Sequence, residues 1–251
     1  MSFLVDTHAH LMMCKRPVKE LVQNALDHHV NHIVNVAVNI ETAKQSLAQS
    51  KEYDMIVPTI GLYPSEVGRD SDVTSMVDLL KSENFKAIGE IGLDYVRCEV
   101  PKPIQHAFFE RQLEIAIETG LPAIIHNRGA DEDVLMILKR FPKVTCVVHC
   151  FSSNYAFADT LLSTVKAYFS FTGMITYSGK EDVHEAISKI PLDRIMVETD
   201  SPYLLPKSIS VQENQPAFVG SIADTIADIR SMDRESLRTQ TSQNAIQFFN
   251  I

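Results

Sequence analysis

Short apolar runs recur along this chain and alternate with stretches that have the periodicity of amphipathic helices. Eight such runs follow one another at intervals of roughly 20 to 35 residues. A run that is apolar at nearly every position is typical of a parallel strand buried on both faces. Regular alternation of such strands with helices predicts one domain, a closed (β/α)8 barrel of the TIM type that spans residues 1–251. We predict the strands at Phe3–Val5, His32–Val38, Met55–Ile60, Lys86–Ile91, Ala123–His126, Thr145–His149, Ala167–Phe171 and Arg194–Glu198.

Helices are predicted where apolar residues recur with a period near 3.6. Gly120 and Pro191 lie where such stretches end, as expected of helix-terminating residues. The polar segment from Ser201 to Pro216 is interrupted by prolines and predicts a loop at the active site. The predicted helices are Val18–Val30, Ile104–Thr119, Val134–Phe141, Ala158–Val165, Val183–Ile190, Ala217–Ser231 and Arg234–Phe249.

Several of the predicted strands end at a residue type that binds metal ions. His8 and His10 follow the first run, and side chains two apart on an extended backbone point to the same face. Alone, this pair is as consistent with a surface position as with a metal site.

Four further metal-binding residues follow later runs: Glu90, His126, His149 and Asp200. A buried strand has no structural need for such a residue at its end. The carboxyl ends of barrel strands meet at one mouth, where barrel enzymes carry their active sites. Because His, Glu and Asp are common metal ligands, the sequence predicts a metal site at this mouth.

Composition limits the class of protein. The chain of 251 residues is 45% hydrophobic and 22% charged, as expected of a globular domain, and carries a net charge of −9. It has no apolar run long enough to span a bilayer and no basic start followed by an apolar core. Its four cysteines lack CxxC spacing, which predicts reduced thiols. We therefore expect a cytoplasmic protein with no membrane association and no obligate protein partner.

The acidic balance bears on nucleic-acid binding. A dedicated DNA-binding module usually shows a basic stripe, and none is visible here. An enzyme that meets phosphates through bound metal ions is not excluded, because the ions supply the positive charge.

The motifs taken together resemble the TatD family of metal-dependent deoxyribonucleases, within the amidohydrolase-like barrels. The resemblance extends over essentially the whole chain. The matching segments are DTHAH at 6–10, GEIGLDY at 89–95, QL at 112–113, IHNR at 125–128, VHCFS at 148–152 and ETDSPYL at 198–204.

The resemblance implies a site with two divalent metal ions, which would be Mg, Mn or Zn. It implies that His8, His10 and Asp200 hold one ion, that His126 and His149 hold the second, and that Glu90 bridges both. Glu90 and Asp200 are then the catalytic residues, with Asp200 accepting a proton from the attacking water. The expected reaction is phosphodiester hydrolysis of DNA from an end, with single strands or 3′ ends as substrate.

Candidate substrate contacts accompany these motifs. Arg128 follows His126 by two residues and either contacts a phosphate oxygen or forms a salt bridge. Glu198 shares a strand face with Asp200, where it favours structural support of the site. The candidate substrate-binding residues are Arg128, Tyr63, Asp94, Tyr95 and Asn214.

Three positions depart from the family pattern. Tyr63 stands where family members commonly carry His, Glu213 where Arg is frequent, and Ser153 where Gly is usual. Tyr63 can donate a hydrogen bond but does not accept a proton near neutral pH. An alternative is therefore a barrel hydrolase acting on a small ester, lactone, amide or phosphoester. A third reading, a protein that keeps the metal only as a structural staple, is disfavoured by the complete ligand set and the polar loop.

Overall fold

Residues 3–251 are described by a computed structural model. Within this range eight parallel strands form one sheet whose spatial order follows the sequence. The predicted (β/α)8 barrel is confirmed. The strands are β1 (Leu4–Ala9), β2 (Val30–Asn35), β3 (Ile56–Ile60), β4 (Ala87–Asp94), β5 (Ala123–Arg128), β6 (Thr145–Val148), β7 (Lys166–Phe171) and β8 (Ile195–Val197).

Backbone hydrogen bonds join the first strand to the segment around the last one. The Asp200 amide donates to the His8 carbonyl, and the His10 amide donates to the Ser201 carbonyl, each at 2.8 Å. The Thr7 hydroxyl also donates to the Val197 carbonyl at 3.0 Å. These contacts complete the barrel and bring the histidine pair beside Asp200.

Nine α-helices lie in the described range and surround the barrel. The helix after β1 ends earlier than predicted, because Val30 is fully buried as the first residue of β2. The structure adds α2 and α3, which the sequence analysis does not predict; α2 buries only Ala43, Ser46 and Leu47, so its apolar stripe is weak. The helices are α1 (Val18–Asp27), α2 (Ile40–Glu52), α3 (Asp70–Ser82), α4 (Lys102–Thr119), α5 (Asp131–Leu138), α6 (Tyr155–Thr164), α7 (Glu181–Lys189), α8 (Val219–Arg230) and α9 (Arg234–Phe249).

One layer of the barrel interior takes one side chain from each strand. This layer packs with Phe248 and Phe249 of α9, and the ring centroids of Tyr168 and Phe248 lie 5.0 Å apart. Since α9 closes the end at which the strands begin, the opposite end remains for the site. The interior residues are Val5, Val34, Val57, Ala87, Ile124, Val147, Tyr168 and Met196.

Two further findings concern the expected class of protein. All four cysteines are free thiols, as predicted. Among residues 3–251, no helix combines the length and the apolar character that a membrane crossing requires.

Candidate metal centre

Six side chains gather where the strands end, and we call them the metal-ligand cluster: His8, His10, Glu90, His126, His149 and Asp200. They come from β1, β4, β5 and the residues that follow β1, β6 and β8. Five of the six side chains are at most 5% exposed, whereas the Asp200 side chain is 13% exposed. The cluster therefore lies at the bottom of the mouth, with Asp200 closest to solvent.

One half of the cluster consists of His8, His10 and Asp200. The two Nε2 atoms lie 3.2 Å apart, and Asp200 Oδ1 lies 3.8 Å from His8 Nε2 and 3.5 Å from His10 Nε2. His10 Nδ1 is 2.8 Å from the Val36 carbonyl, which requires a proton on Nδ1. In the neutral ring, Nε2 then carries the lone pair and is free to bind a cation.

The other half consists of His126, His149 and one oxygen of Glu90. Glu90 Oε1 lies 2.8 Å from both His126 Nδ1 and His149 Nε2, and these nitrogens are 3.1 Å apart. On the far side of the His149 ring, Nδ1 lies 3.3 Å from Glu198 Oε1. Glu198 thus supports the site from behind, since it also accepts a hydrogen bond from the Cys150 amide at 2.7 Å.

Glu90 lies between the two halves. Its Oε2 is 3.5 Å from His8 Nε2 and 3.7 Å from His10 Nε2, while Oε1 faces His126 and His149. Each carboxylate oxygen therefore faces a different pair of imidazole rings.

The donor set fits divalent cations. Ligand atoms that share a metal ion at about 2.1 Å lie roughly 3 to 3.5 Å from one another, and the nitrogens of each half show such spacing. Burial opposes charge at Glu90, but the surrounding imidazoles hold its pKa well below the usual value. Burial also opposes charge at His149, yet Glu90 and Glu198 raise its pKa well above the usual value. The cluster thus attracts positive charge, which is supplied by protons or by metal ions.

Close backbone contact between β4 and β5 depends on a glycine. Gly92 has φ +139°, and a Cβ atom there would lie 2.1 Å from the His126 carbonyl oxygen. Because Gly92 pairs with His126 in the sheet, its lack of a side chain lets β4 carry Glu90 close to His126. Asp200 also has a positive φ, 56°, which an aspartate tolerates better than most residues.

Asp94, Tyr63 and Arg128 form one hydrogen-bond network beside the cluster. Asp94 Oδ2 accepts from the Tyr63 hydroxyl at 2.9 Å and from Arg128 Nη1 at 3.1 Å, and it lies 3.3 Å from His126 Nε2. Burial raises the Asp94 pKa, but the bonds from His126 and from the Arg97 and Val96 amides lower it below the usual value. Asp94 is fully buried, and its contact with His126 Nε2 places it to orient that ring. Contact of Asp94 with substrate stays a prediction.

Tyr95 and Asn214, two further predicted substrate contacts, form hydrogen bonds within the protein. The Tyr95 hydroxyl donates to Asp133 Oδ2 at 2.6 Å and lies 2.5 Å from His106 Nε2. Asn214 is fully buried, and its amide nitrogen donates to the Thr199 and Tyr203 carbonyls. Asn214 therefore holds the loop after β8 in place.

Glu213, one of the departures, has a local structural role. Its carboxylate accepts hydrogen bonds from the Lys15 and Arg16 amides at 3.2 to 3.3 Å. These bonds tie the loop after β8 to the segment that follows β1.

Asp6 was not singled out from the sequence, although it begins the first motif. Its carboxylate accepts from the Thr199 amide at 2.8 Å and from the Thr199 hydroxyl at 2.6 Å. Burial raises its pKa to about 8. It links β1 to the residue before Asp200 and so aligns the first half of the cluster.

A cavity of about 630 Å³ opens above the cluster and is called the central cavity here. Its wall includes Tyr63 and Arg128, which the sequence analysis places in the site, and also Arg97 and Tyr203, which it misses. Arg97 follows the GEIGLDY motif and Tyr203 lies within the ETDSPYL motif, so a position after a strand end is the available signal.

Comparison with known proteins agrees with this architecture. A family model described as TatD related DNase matches residues 5–250. The chain is 35% identical over 254 residues to the metal-dependent hydrolase YabD of Bacillus subtilis (strain 168), which covers 99% of each protein. It is 36% identical over 207 residues to the 3′-5′ RNA nuclease TATDN2 of Homo sapiens, covering 76% of this chain and 27% of the human protein.

A solved structure extends the comparison to three dimensions. The crystal structure of YJJV, a TatD homolog from Escherichia coli K12, superposes with a TM-score of 0.91 at 25% identity, covering 99% of this chain and 98% of that one. Since the family model and the first of these relatives span nearly every residue, the chain belongs to the TatD-related DNase family of metal-dependent hydrolases.

Proposed function

We propose that the protein is a divalent-metal-dependent phosphodiesterase that removes nucleotides from the 3′ end of single-stranded DNA. The observation that carries the proposal is Glu90, whose two carboxylate oxygens face two separate pairs of histidines at the bottom of one cavity. This arrangement suits a pair of ions bridged by one carboxylate, with His8, His10 and Asp200 on one side and His126 and His149 on the other.

Ions held there would supply activation of water and neutralisation of phosphate charge. Transfer of the proton from water falls to the protein's own side chains. Asp200 has the most exposed side chain of the metal-ligand cluster, so its carboxylate is the group placed to accept a proton from water entering the cavity. Burial raises the pKa of Asp200, but His10 and His8 lower it more, so the pKa lies below its usual value. The carboxylate therefore stays ionised and is able to act as a base.

The direction of attack on the strand is taken from the human relative. TATDN2 carries the name 3′-5′ RNA nuclease, which supports cleavage from a 3′ end for this chain as well. Arg97 and Arg128 on the cavity wall add positive charge close to the metal-ligand cluster, which favours a phosphate-bearing substrate.

A second candidate is a hydrolase of small esters or phosphoesters. Tyr63 supports this candidate. Its hydroxyl donates a hydrogen bond to Asp94, and its pKa is raised by burial and by the charges of Glu90 and Asp94. A group with a raised tyrosine pKa does not deliver a proton near neutral pH, as the histidine common in the family would.

The deciding experiment compares substrates under one set of conditions. Protein stripped by a chelator is reloaded with Mg, Mn or Zn and given single-stranded DNA labelled at the 5′ end, the same sequence as RNA, and a panel of small esters and phosphoesters. We expect a ladder of products shortened from the 3′ end. If only the small esters or phosphoesters are hydrolysed, the protein is the small-molecule hydrolase of the second candidate.

Glu90→Gln tests the bridging carboxylate. The amide keeps the shape of the side chain but loses the charge shared by the two halves, so we expect DNA hydrolysis to fall by at least about a hundredfold. The second equivalent of metal should also bind more weakly in calorimetry. Glu83→Gln is the control, since Glu83 pairs with Lys51 on the surface. Near-normal turnover in Glu90→Gln would contradict the mechanism.

A further inference from the structure

The wall of the central cavity has two chemically different sides. Arg97 follows β4 and Arg128 ends β5, whereas Tyr203 and Leu204 follow β8 and Met13 follows β1. In a closed eight-stranded barrel, strands four positions apart lie across the mouth from one another. The arginine side therefore faces an aromatic and apolar side, with the metal-ligand cluster between them.

Tyr203 displays its ring on a fixed backbone. Tyr203 is 53% exposed, yet its backbone amide donates to the Asp200 carbonyl at 2.8 Å. Its own carbonyl accepts from Asn214 Nδ2 at 2.7 Å. The ring centroid lies 6.4 Å from that of His10, and the hydroxyl lies 3.7 Å from Met13 Sδ. A large ring held in this way beside a metal centre offers a flat surface to a ligand.

The arginine side is also held in place. Arg128 Nη1 and the Arg97 amide both donate to Asp94, while the Arg128 side chain remains 35% exposed. Among residues 3–251 the Arg97 guanidinium forms no ion pair, and Glu66 on the same side accepts a hydrogen bond from Asn39. The two guanidinium groups balance the carboxylates of Asp94 and Glu66, and their planar N–H donors suit phosphate oxygens.

We infer that the central cavity binds the terminal nucleotide in one orientation, with its base stacked on Tyr203 and a neighbouring phosphate held by Arg97 and Arg128. This inference rests on the proposed function and specifies its substrate. A base inside a duplex has both faces covered by its neighbours, and the last base of a blunt end is held by its complement, so an unpaired terminal base reaches the ring most readily. Stacking on an aromatic ring tolerates all four bases, which predicts little sequence preference.

The test uses single-stranded DNA whose 3′ nucleotide either carries its base or is replaced by an abasic tetrahydrofuran residue. We expect the wild-type protein to prefer the base-bearing end by about tenfold in kcat/KM, in keeping with aromatic stacking. Tyr203→Leu removes the ring and should bring this ratio close to one, whereas Tyr203→Phe keeps the ring and should retain it. Tyr155→Leu, a tyrosine on α6 outside the cavity, is the matched control.

Equal hydrolysis of both ends by the wild-type protein, or an unchanged ratio in Tyr203→Leu, would overturn the inference. Absence of hydrolysis of either strand by the metal-loaded protein would instead overturn the proposed function, so the two failures are distinguishable. Metal affinity and thermal unfolding are measured for each variant to verify its fold. If Tyr203→Leu fails to fold, the wild-type comparison and Tyr203→Phe still decide the question.

Discussion

At the scale of single residues, the side chains around Asp94 show how a departure from the family pattern is accommodated. Tyr63 donates to the same carboxylate oxygen that faces His126, and Arg128 donates to it as well. The carboxylate fixes the orientation of the His126 imidazole, a proposed metal ligand, so these neighbours would influence a metal site without touching an ion. Tyr63 therefore has a positioning role in addition to its place on the cavity wall.

Tyr63→His restores a group that exchanges a proton near neutral pH. We expect DNA hydrolysis to rise severalfold between pH 6 and 8, because an ordinary histidine titrates near pH 6.5 while the pKa of Tyr63 is raised. Tyr63→Phe should lower both activity and metal affinity, since Asp94 loses one donor. Tyr95→Phe is the control, as Tyr95 makes the corresponding contacts with His106 and Asp133. A decrease for DNA with Tyr63→His would indicate that Tyr63 is adapted to a small substrate.

At the scale of secondary-structure elements, the spacing of neighbouring strands decides whether the ligands meet. β4 and β5 continue to pair beyond their predicted ends, Ile91 and His126, as far as Asp94 with Arg128. This extended pairing carries Glu90 and His126 to one level of the barrel. Gly92 permits it, because the His126 carbonyl occupies the position that a side chain at residue 92 would need.

Gly92→Ala tests this packing. We expect a loss of roughly 3 kcal/mol in the free energy of unfolding, since backbone strain is joined by a clash with the neighbouring strand. Gly120→Ala gives the cost of a positive φ without a clash, because Gly120 has φ 70°, in the left-handed helical region, and nothing lies within 4 Å of the position of an added Cβ. It should cost about 1 kcal/mol. Urea unfolding measures both values, and similar losses in the two variants would refute the role of the strand contact.

At the scale of the whole molecule, the metal-ligand cluster connects distant parts of the chain. Its members come from the first strand, the middle strands and the segment after the last strand, which meet only when the barrel is closed. Ions bound there would join these parts and favour the folded state over the unfolded one.

Metal removal should therefore lower the thermal unfolding temperature, and the difference should increase with pH. The pKa of His149 is raised in the fold, so its proton stabilises the metal-free protein below the unfolded value of about 6.5 and is lost as the pH rises through the raised value. Bound metal requires the unprotonated ring and does not suffer this loss. At a metal concentration a hundred times the Kd we expect about 2.7 kcal/mol of stabilisation.

Unfolding scans at pH 6, 7 and 8, with metal and with a chelator, measure this difference. His8→Asn should remove most of it, whereas His184→Asn, on α7 outside the cluster, should leave it unchanged. A metal effect that shrinks as the pH rises would contradict the proton linkage.

The barrel and the metal-ligand cluster were predictable because their signals are local. Each strand is a continuous apolar run, and each candidate ligand comes at or just after the end of such a run, so barrel geometry alone predicts that the ligands converge. The last helix was predicted at its observed bounds, Arg234–Phe249. Helices α2 and α3 were not predicted, because their few buried residues leave too weak a stripe.

The tertiary structure decided which polar side chains reach the central cavity. Asp94, Tyr95 and Asn214 lie in or beside the same motifs as the ligands. In the structure their side chains form hydrogen bonds with other parts of the protein, namely Tyr63, Asp133 and the Thr199 carbonyl. No pattern distinguishes Arg97, and Tyr203 is only one of the seven residues of the ETDSPYL motif, yet both lie on the cavity wall. A side chain's direction depends on partners distant in sequence, here across a closed barrel, whereas the position of a strand depends on its own residues.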